Sequence, residues 1–462
     1  MLKNNQSKRI LFLRSYFILS FFFIGCVTFI NKENQKIISE MENSLKTELL
    51  NVWYPTTIDT VYGGFLSNFS YDWQPQGPQN KFLVTQARHV WTTSEATMFF
   101  KDDSYQKVAE HGFHFLRDKM WDTIYGGFFT LRNRQGESIQ RAYGDDKSAY
   151  GNAFAIYALA TYYAMSGDTS ALNLAQKTFL WLEKHSHDPE YKGYFDRMKQ
   201  EGTWYGKTDS KLNPRRLIGA GLKDQNSSIH LLEAFTELYR IWPDSLLRVR
   251  LLEMLTLIRD TITTEKGYLT LFLERDWTPV SFRDSSEAAR KANYFLDHVS
   301  FGHDVETAYL MLEASHALGI NSDAKTLTIA KKMVDHALAN GWDNKNGGLY
   351  YQGYYFNNSD AITIINDVKS WWVQDEGLNA LLLMAKLFPN EKKYEDAFAK
   401  QWEYMKKYLI DHEHGGWYME GLDKSPDKQQ APKAYDWKVN YHDSRALMNC
   451  IKMLKSEHEL VK

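Results

Sequence analysis

A histidine with two carboxylates beside it marks the part of the chain best suited to chemistry. The stretch Ser300–Glu306 contains His303, Asp304 and Glu306 within four residues. Apolar residues then recur with the spacing of a buried helix face, which predicts a helix that Asp304 could cap and Gly319 could end. A histidine held by a carboxylate such as Glu306 can transfer protons near neutral pH. Taken alone, the same residues also fit a helix cap beside a buried structural histidine.

Comparable polar clusters open five further predicted helices. The clusters contain Gln86 and Arg88; Asp146, Lys147 and Tyr150; Asn226 and His230; Lys369, Trp371, Trp372, Gln374 and Glu376; and Trp437, Lys438, Tyr441, His442 and Arg445. Helix N-termini present free N–H groups and the positive end of the helix dipole, which favour negative charge that develops nearby. If these helix starts converge, the clusters form one functional pocket.

A repeated glycine turn explains why the clusters are equivalent. The turn recurs at Gly64, Gly127, Gly193, Gly267, Gly348 and Gly416. One helical pattern precedes each turn, over roughly 34–52, 104–121, 169–185, 244–262, 322–340 and 391–410. A second follows each turn, over roughly 86–101, 147–165, 224–241, 304–318, 371–388 and 442–457. Every polar cluster lies at the start of a second helix.

Six helical hairpins in succession must bury their apolar faces against one another. A closed ring does this without capping repeats, so we predict an all-α fold, an (α/α)6 barrel with short β-hairpin-like glycine turns. The second helix of each pair should form the inner ring. An open superhelical solenoid is the alternative. We expect residues 27–462 to form this single domain, and the protein to be a monomer.

Composition narrows the possible partners. The chain has 14 Trp, 28 Tyr and 26 Phe, which can fill a large core and, where exposed, stack on sugar rings. Its formal net charge is −2, and no basic run lies in the body of the chain. Nucleic acid is therefore not an expected partner.

The N-terminal segment 1–26 has the character of an export signal. Basic residues precede an apolar run, which ends at Gly25 and Cys26 in the manner of a bacterial lipobox. We therefore predict an exported protein, periplasmic or at the cell surface, that is lipidated on Cys26 and touches the membrane only there. An uncleaved anchor over residues 11–30 is the alternative. With Cys26 lipidated, Cys450 has no partner for a disulfide.

Five pieces of the chain carry a family resemblance. They are Thr85–Arg88, Asn226–Ala234, Gly302–Glu306, Lys369–Gln374 and Trp437–His442. In this order they resemble the cellobiose 2-epimerases of the N-acylglucosamine 2-epimerase superfamily, and the resemblance extends over about residues 34–457. Two positions depart from it, because Asp375 and Tyr309 stand where relatives usually carry Ala and Trp. The first of these could alter the polarity of the pocket and the substrate preference.

The resemblance implies a reaction and the residues that catalyse it. The reaction is reversible C2 epimerisation of the reducing-end glucose of a β-1,4-linked disaccharide, such as cellobiose to glucosyl-mannose, through an enediol or enediolate. His303 and His442 would transfer the protons, and Glu306 would orient His303 and raise its basicity. Arg88 would stabilise the enediolate oxygen.

The resemblance also implies a set of substrate contacts. His230, with Asn226, would hold sugar oxygens or assist ring opening. Trp372 and Trp437 would stack on the two sugar rings, with packing in the core as their alternative role. Tyr150 fits a pocket residue and a core tyrosine equally well.

Other functions remain open at this stage. Gly219-Ala220-Gly221 begins like a dinucleotide loop but lacks a βαβ setting, so we expect no nicotinamide cofactor. We also expect no metal, because the reaction needs its histidines as free bases. Mannobiose 2-epimerase is the nearest alternative. An inverting glycoside hydrolase that uses Glu306 and Glu376, and a sugar-binding lipoprotein without turnover, represent other classes.

Overall fold

The computed structural model shows two concentric rings of helices. It describes residues 32–139, 144–212, 218–320, 323–357 and 359–455. The predicted leader 1–26 and its lipidation site Cys26 lie outside these ranges and stay predictions. Within the ranges, no helix is long and apolar enough to cross a membrane.

Six helices form the inner ring of the described chain. They are α3 (Leu83–Phe100), α5 (Ala149–Ser166), α8 (Gln225–Ile241), α11 (Phe301–Ala317), α13 (Trp371–Leu387) and α15 (Tyr441–Lys455). Each packs against the next, and α15 packs against α3. Because each is covered on several sides, most of its residues are buried. The ring is therefore closed, which confirms the predicted (α/α)6 barrel and excludes the open solenoid.

Each inner helix carries one outer helix. The outer helices are α1 (Lys32–Asn43), α4 (Asp103–Phe115), α6 (Thr169–His185), α9 (Ser245–Leu257), α12 (Ala324–Asn340) and α14 (Lys392–Tyr408). Four of them begin with an aspartate whose carboxylate accepts backbone N–H groups of the first turn, namely Asp102, Asp168, Asp244 and Asp323. Three outer helices continue with π-helical turns, at Ser44–Leu50, Leu116–Met120 and Ile258–Ile262.

The helix that carries His303 begins and ends almost as predicted. It begins after Ser300 and is followed by Gly319 at φ +70°. The predicted cap is wrong, because Asp304 is buried inside the helix and its carboxylate accepts the backbone N–H of Leu269 at 2.9 Å. Asp304 thus ties its helix to the preceding glycine turn.

Short antiparallel strands join successive repeats. The pairs are β1 (Lys81–Phe82) with β2 (Leu131–Arg132), β3 (Lys147–Ser148) with β4 (Arg197–Met198), β5 (Lys223–Asp224) with β6 (Phe272–Leu273), and β7 (Val299–Ser300) with β8 (Gln352–Tyr354), which also pairs with β9 (Thr363–Asn366). The first strand of each group leads directly into an inner helix, so the pairing holds the N-terminal ends of these helices together. Three further short helices, which the periodicity did not predict, are α2 (Asn51–Thr56), α7 (Lys207–Leu212) and α10 (Glu287–Asp297).

Buried lysine–aspartate pairs hold five of the glycine turns. The pairs are Lys81–Asp59, Lys147–Asp122, Lys223–Asp188, Lys369–Asp343 and Lys433–Asp411. Two of these lysines, Lys147 and Lys369, belong to the polar clusters that were predicted to form the pocket. They do not line the cavity and instead bind the aspartates of the glycine turns. The fourth turn has Thr264 and Val299 at the corresponding places, so a neutral pair of residues precedes the helix of His303.

The buried pair of the second turn can be tested by mutation. Lys147→Met should lower the free energy of unfolding by about 3 kcal/mol, because Asp122 would remain buried without its cation. Urea denaturation measures the change. Lys392→Met, which breaks the exposed pair with Glu395, should leave the midpoint unchanged. Equal effects of the two substitutions would contradict a structural role for the buried pairs.

Candidate active site

The N-terminal ends of the inner helices surround a cavity of about 440 Å³. It joins a second cavity of about 520 Å³, here called the vestibule, with which it shares Tyr150, Asn226, His303, Tyr351 and Trp437. Both volumes fall in the range typical of small-molecule sites. The residues predicted for catalysis and substrate binding all line the first cavity; they are Arg88, Tyr150, Asn226, His230, His303, Glu306, Trp372, Trp437 and His442.

Two of the cavity histidines are backed by carboxylates. Nδ1 of His442 lies 2.5 Å from Oε1 of Glu376, and Nδ1 of His230 lies 2.8 Å from Oε2 of Glu233. An ionised carboxylate can only accept, so we assign the ring proton to Nδ1 in both histidines. Among the described residues, none hydrogen-bonds to Nε2 of either ring, so this nitrogen is available to a ligand.

His303 has neutral partners. Its Nδ1 lies 2.8 Å from Oγ of Ser300 and 3.3 Å from Nε2 of Gln225. The prediction that Glu306 holds His303 is wrong, because Oε1 of Glu306 accepts a hydrogen bond from Arg445 at 2.6 Å. In this buried setting a charged guanidinium is a stronger hydrogen-bond donor to the carboxyl oxygen than a neutral imidazole would be.

Arg445 links the groups behind the histidines. Its Nη2 donates to Glu306 at 2.6 Å and to Oε1 of Glu376 at 2.7 Å, and its Nη1 donates to Glu233. All four side chains are buried. The motifs placed Arg445 in the sixth cluster without a role, and gave none to Glu233.

A regular spacing could have revealed this charged layer. Each of the three cavity histidines is followed three residues later by an ionisable residue. The pairs are His230 with Glu233, His303 with Glu306, and His442 with Arg445. On a helix, that spacing places the charge one turn below the histidine. Three inner helices thus carry a histidine towards the cavity and a charge beneath it.

Burial and charge set the protonation of the site. Burial lowers the pKa of His303 and of His442 to about 3, so both rings are neutral at pH 7 and can accept a proton. Burial opposes ionisation of Glu376, but Arg445 and His442 outweigh it and lower the pKa of Glu376. Burial and the nearby charge of Glu376 raise the pKa of Glu306, in spite of Arg445. Glu306 is therefore the carboxyl group that holds a proton at neutral pH.

Arg88 and Tyr150 form one wall of the cavity. Nη2 of Arg88 donates to the Tyr150 hydroxyl at 3.2 Å, and Nη1 donates to the carbonyl of Trp437 at 3.2 Å. The guanidinium also lies over the rings of Phe154 and Tyr441, at 4.5 and 5.0 Å. Tyr150 is thus both packed in the core and in contact with the cavity.

The remaining predicted residues offer contacts to a ligand. The ring of Trp372 lies 4.8 Å from that of His303 and 5.9 Å from that of His442. Trp437 is 46% exposed at the rim, so core packing does not explain it. Oδ1 of Asn226 is buried and has no hydrogen-bond partner in the described part of the chain, which leaves an acceptor for a hydroxyl group.

The two positions that depart from the family pattern lie behind the cavity. Asp375 is fully buried, beside Asp443 and Lys438, and lines neither the cavity nor the vestibule. The expectation that it changes pocket polarity is therefore wrong. Tyr309 is buried as well, and its hydroxyl donates to Oε2 of Glu376 at 2.6 Å.

One group of side chains has the spacing of a metal site. Ligand atoms of Glu306, Glu376 and His442 lie within 4.8 Å of one another. However, Nη2 of Arg445 already donates to both carboxylates. A metal ion would have to displace this buried cation, so the donor set does not fit a metal.

The raised pKa of Glu306 predicts a pH-dependent stability. A carboxyl group that binds its proton more tightly in the folded state loses its stabilising contribution as pH rises from the unfolded pKa through the folded one. The contribution of Glu306 to the free energy of unfolding should therefore fall between about pH 5 and about 8, although the buried neutral histidines favour the opposite trend below about pH 6.5. The free energy of unfolding of the wild type minus that of Glu306→Gln should decrease over this range, whereas the difference from exposed Glu413→Gln should stay constant. Denaturant titrations at several pH values would contradict the assignment if Glu306→Gln kept the wild-type slope.

Known proteins resemble this chain along nearly all of its length. The family model for N-acylglucosamine 2-epimerase (GlcNAc 2-epimerase) matches residues 63–446. The cellobiose 2-epimerase of Bacteroides fragilis is 27% identical over 416 residues, covering 90% of this chain and 98% of that protein. The D-mannose isomerase of Marinomonas mediterranea is 26% identical over 411 residues, covering 87% and 94%.

A solved structure agrees with the sequence comparisons. The cellobiose 2-epimerase of Bacillus thermoamylovorans superposes with a TM-score of 0.78 at 25% identity, covering 91% of this chain and 100% of that one. The family expected from the five motifs is confirmed, and with it an enzyme of the isomerase class. The chain belongs to the N-acylglucosamine 2-epimerase family.

Proposed function

We propose that this enzyme inverts C2 of the reducing-end glucose in β-1,4-linked disaccharides, with cellobiose as the reference substrate. One observation carries the proposal: two neutral imidazoles, His303 and His442, come from different inner helices and both lie within 6 Å of the Trp372 ring. Inversion at carbon without a redox step needs two proton-transfer groups, one for each face of the intermediate.

The reaction would proceed by one proton removed and one returned. The sugar ring opens to the aldehyde, and one imidazole removes the C2 proton. The electron pair of the broken C–H bond moves into a C1–C2 double bond, and the carbonyl oxygen becomes an enediolate oxygen. The second imidazole takes up a proton from solvent and returns it to the opposite face of C2, which re-forms the aldehyde as the mannose epimer, and the first imidazole releases the C2 proton to solvent. The roles of the two histidines exchange with reaction direction.

The other cavity residues have complementary tasks. Arg88 would stabilise the enediolate oxygen, because its guanidinium group is oriented by hydrogen bonds to the Tyr150 hydroxyl and the Trp437 carbonyl. His230 and Asn226 would hold sugar oxygens or assist ring opening. Trp372, beside both histidines, and Trp437, at the rim, would stack on the two sugar rings.

The names of the relatives support this reaction type and define its nearest competitors. Mannobiose as the preferred substrate requires no change in the catalytic groups. An aldose–ketose isomerase, as the D-mannose isomerase relative suggests, would form the same enediol but return the proton to C1. Product identification separates these outcomes.

The positions of Glu306 and Glu376 argue against an inverting glycoside hydrolase. Inverting glycosidases need two carboxyl groups about 6.5–9.5 Å apart across the substrate. Oε1 of Glu306 and Oε1 of Glu376 both lie within 2.7 Å of one nitrogen, Nη2 of Arg445. Two oxygens held so close to one atom cannot flank a sugar and a water molecule.

The two histidines give a direct test of the chemistry. His303→Ala and His442→Ala should each lower epimerisation by more than about 100-fold, because each removes one proton-transfer group. Binding of cellobiose, measured by calorimetry, should survive. His316→Ala, an exposed position on the same helix as His303, is the matched control. Near-wild-type turnover by either cavity variant would show that the two-histidine assignment is wrong.

A substrate panel tests the proposed specificity. Cellobiose, lactose, mannobiose, glucose and N-acetylglucosamine should be incubated in heavy water, and the products identified. We expect epimers of the β-1,4-disaccharides with deuterium at C2. Free glucose from cellobiose without an epimer would indicate a hydrolase, and the absence of exchange with every sugar would indicate a binding protein.

A further inference from the structure

A buried phenol lies behind one of the two histidines. Tyr309 projects from α11, two turns beyond His303, and its side chain is buried. Its hydroxyl donates to Oε2 of Glu376 at 2.6 Å. The other oxygen of that carboxylate, Oε1, faces Nδ1 of His442 at 2.5 Å and Nη2 of Arg445 at 2.7 Å. Tyr309, Glu376 and His442 thus form a continuous chain of hydrogen bonds that ends at the cavity.

We propose that Tyr309 is a positioning residue for His442, acting through Glu376. The proposal rests on the proposed function, in which His442 transfers a proton at C2. Tyr309 does not line the cavity, so its hydroxyl acts on the reaction through the Glu376 carboxylate, while its ring packs 5.5 Å from the Arg445 guanidinium.

The hydroxyl determines the rotation of the Glu376 carboxylate. With Oε2 bonded to the phenol, Oε1 must face His442 and Arg445. Without the phenol, Oε2 would be buried without a donor, which is unfavourable for a charged oxygen. The carboxylate would then turn towards other donors, among them Arg445, and the His442 ring would lose its fixed orientation.

The surroundings keep Tyr309 a donor. Burial and the nearby carboxylates raise the pKa of its phenol well above the ordinary value, and Arg445 only partly offsets this. The hydroxyl therefore stays protonated throughout the pH range of a working enzyme. Its single proton is given to Glu376.

The effect should be confined to one histidine. His303 is held by Ser300 and Gln225 and has no carboxylate behind it. His230 has its own carboxylate, Glu233, which receives its hydroxyl donor from Tyr441 at 2.8 Å. Tyr309 therefore serves His442 alone among the three cavity histidines.

Tyr309→Phe removes the hydroxyl and preserves the ring. We expect kcat with cellobiose to fall about tenfold, the loss that corresponds to one hydrogen bond to a charged group, while KM changes less than about twofold. The matched control is Tyr394→Phe, because Tyr394 is buried, donates to Asp335 at the same 2.6 Å and lies on outer helix α14. Equal kcat values for the Tyr309 and Tyr394 variants would overturn the proposal.

A double-mutant cycle tests whether Tyr309 acts through Glu376. Glu376→Gln should reduce kcat more than Tyr309→Phe does, and the double variant should be no slower than Glu376→Gln alone. Multiplicative losses would show that the two residues act independently, and the proposal would fail.

A measurement on His442 keeps this proposal separate from the proposed reaction. The Nδ1–H proton of His442 should give a strongly downfield NMR resonance in the wild type, assigned by its loss in His442→Ala. The resonance should shift or broaden in Tyr309→Phe and stay unchanged in Tyr394→Phe. If the wild type epimerised no sugar but the resonance responded in this way, the proposed function would fail and the positioning role would stand. An unchanged resonance in Tyr309→Phe would overturn the positioning role whatever the activity.

Discussion

The buried guanidinium of Arg445 is the interaction on which the centre of the barrel depends. It lies on α15 and contacts Glu233 of α8, Glu306 of α11 and Glu376 of α13, so it connects four of the six inner helices. Ionised carboxylates as buried as Glu233 and Glu376 would be strongly unfavourable without a cation. Glu233 and Glu376 also hydrogen-bond a cavity histidine each, His230 and His442. The same contacts therefore balance the buried charges and orient the histidines of the site.

This arrangement places the charged layer below the reactive layer. The histidines face the cavity, and the carboxylates that orient His230 and His442 lie deeper, beside Arg445. The neutral rings can then accept protons, while Glu376 stays ionised and Glu306 holds a proton. The absence of a carboxylate behind His303 distinguishes it from His442, so the two proton-transfer groups of the proposed reaction are not equivalent.

The repeat explains why the N-terminal ends of the six inner helices all lie around the cavity. Each glycine turn returns the chain from the outer ring to the inner ring, and five turns are held by a buried lysine–aspartate pair. The fourth repeat uses Thr264 and Val299 instead, and it is the repeat that supplies His303.

The sequence by itself determined the barrel and nine of the residues that line the cavity, because helical periodicity, a repeated turn and short motifs are local signals that survive without contacts. The helix ranges were predicted to within a few residues, and all nine named site residues line the cavity. Only the tertiary structure decided which carboxylate serves which histidine. Glu306 is one helical turn from His303, yet it bonds Arg445, which is 139 residues away in sequence. Local spacing shows that two side chains can meet; in a closed ring, the competition among all buried charges decides which of them do.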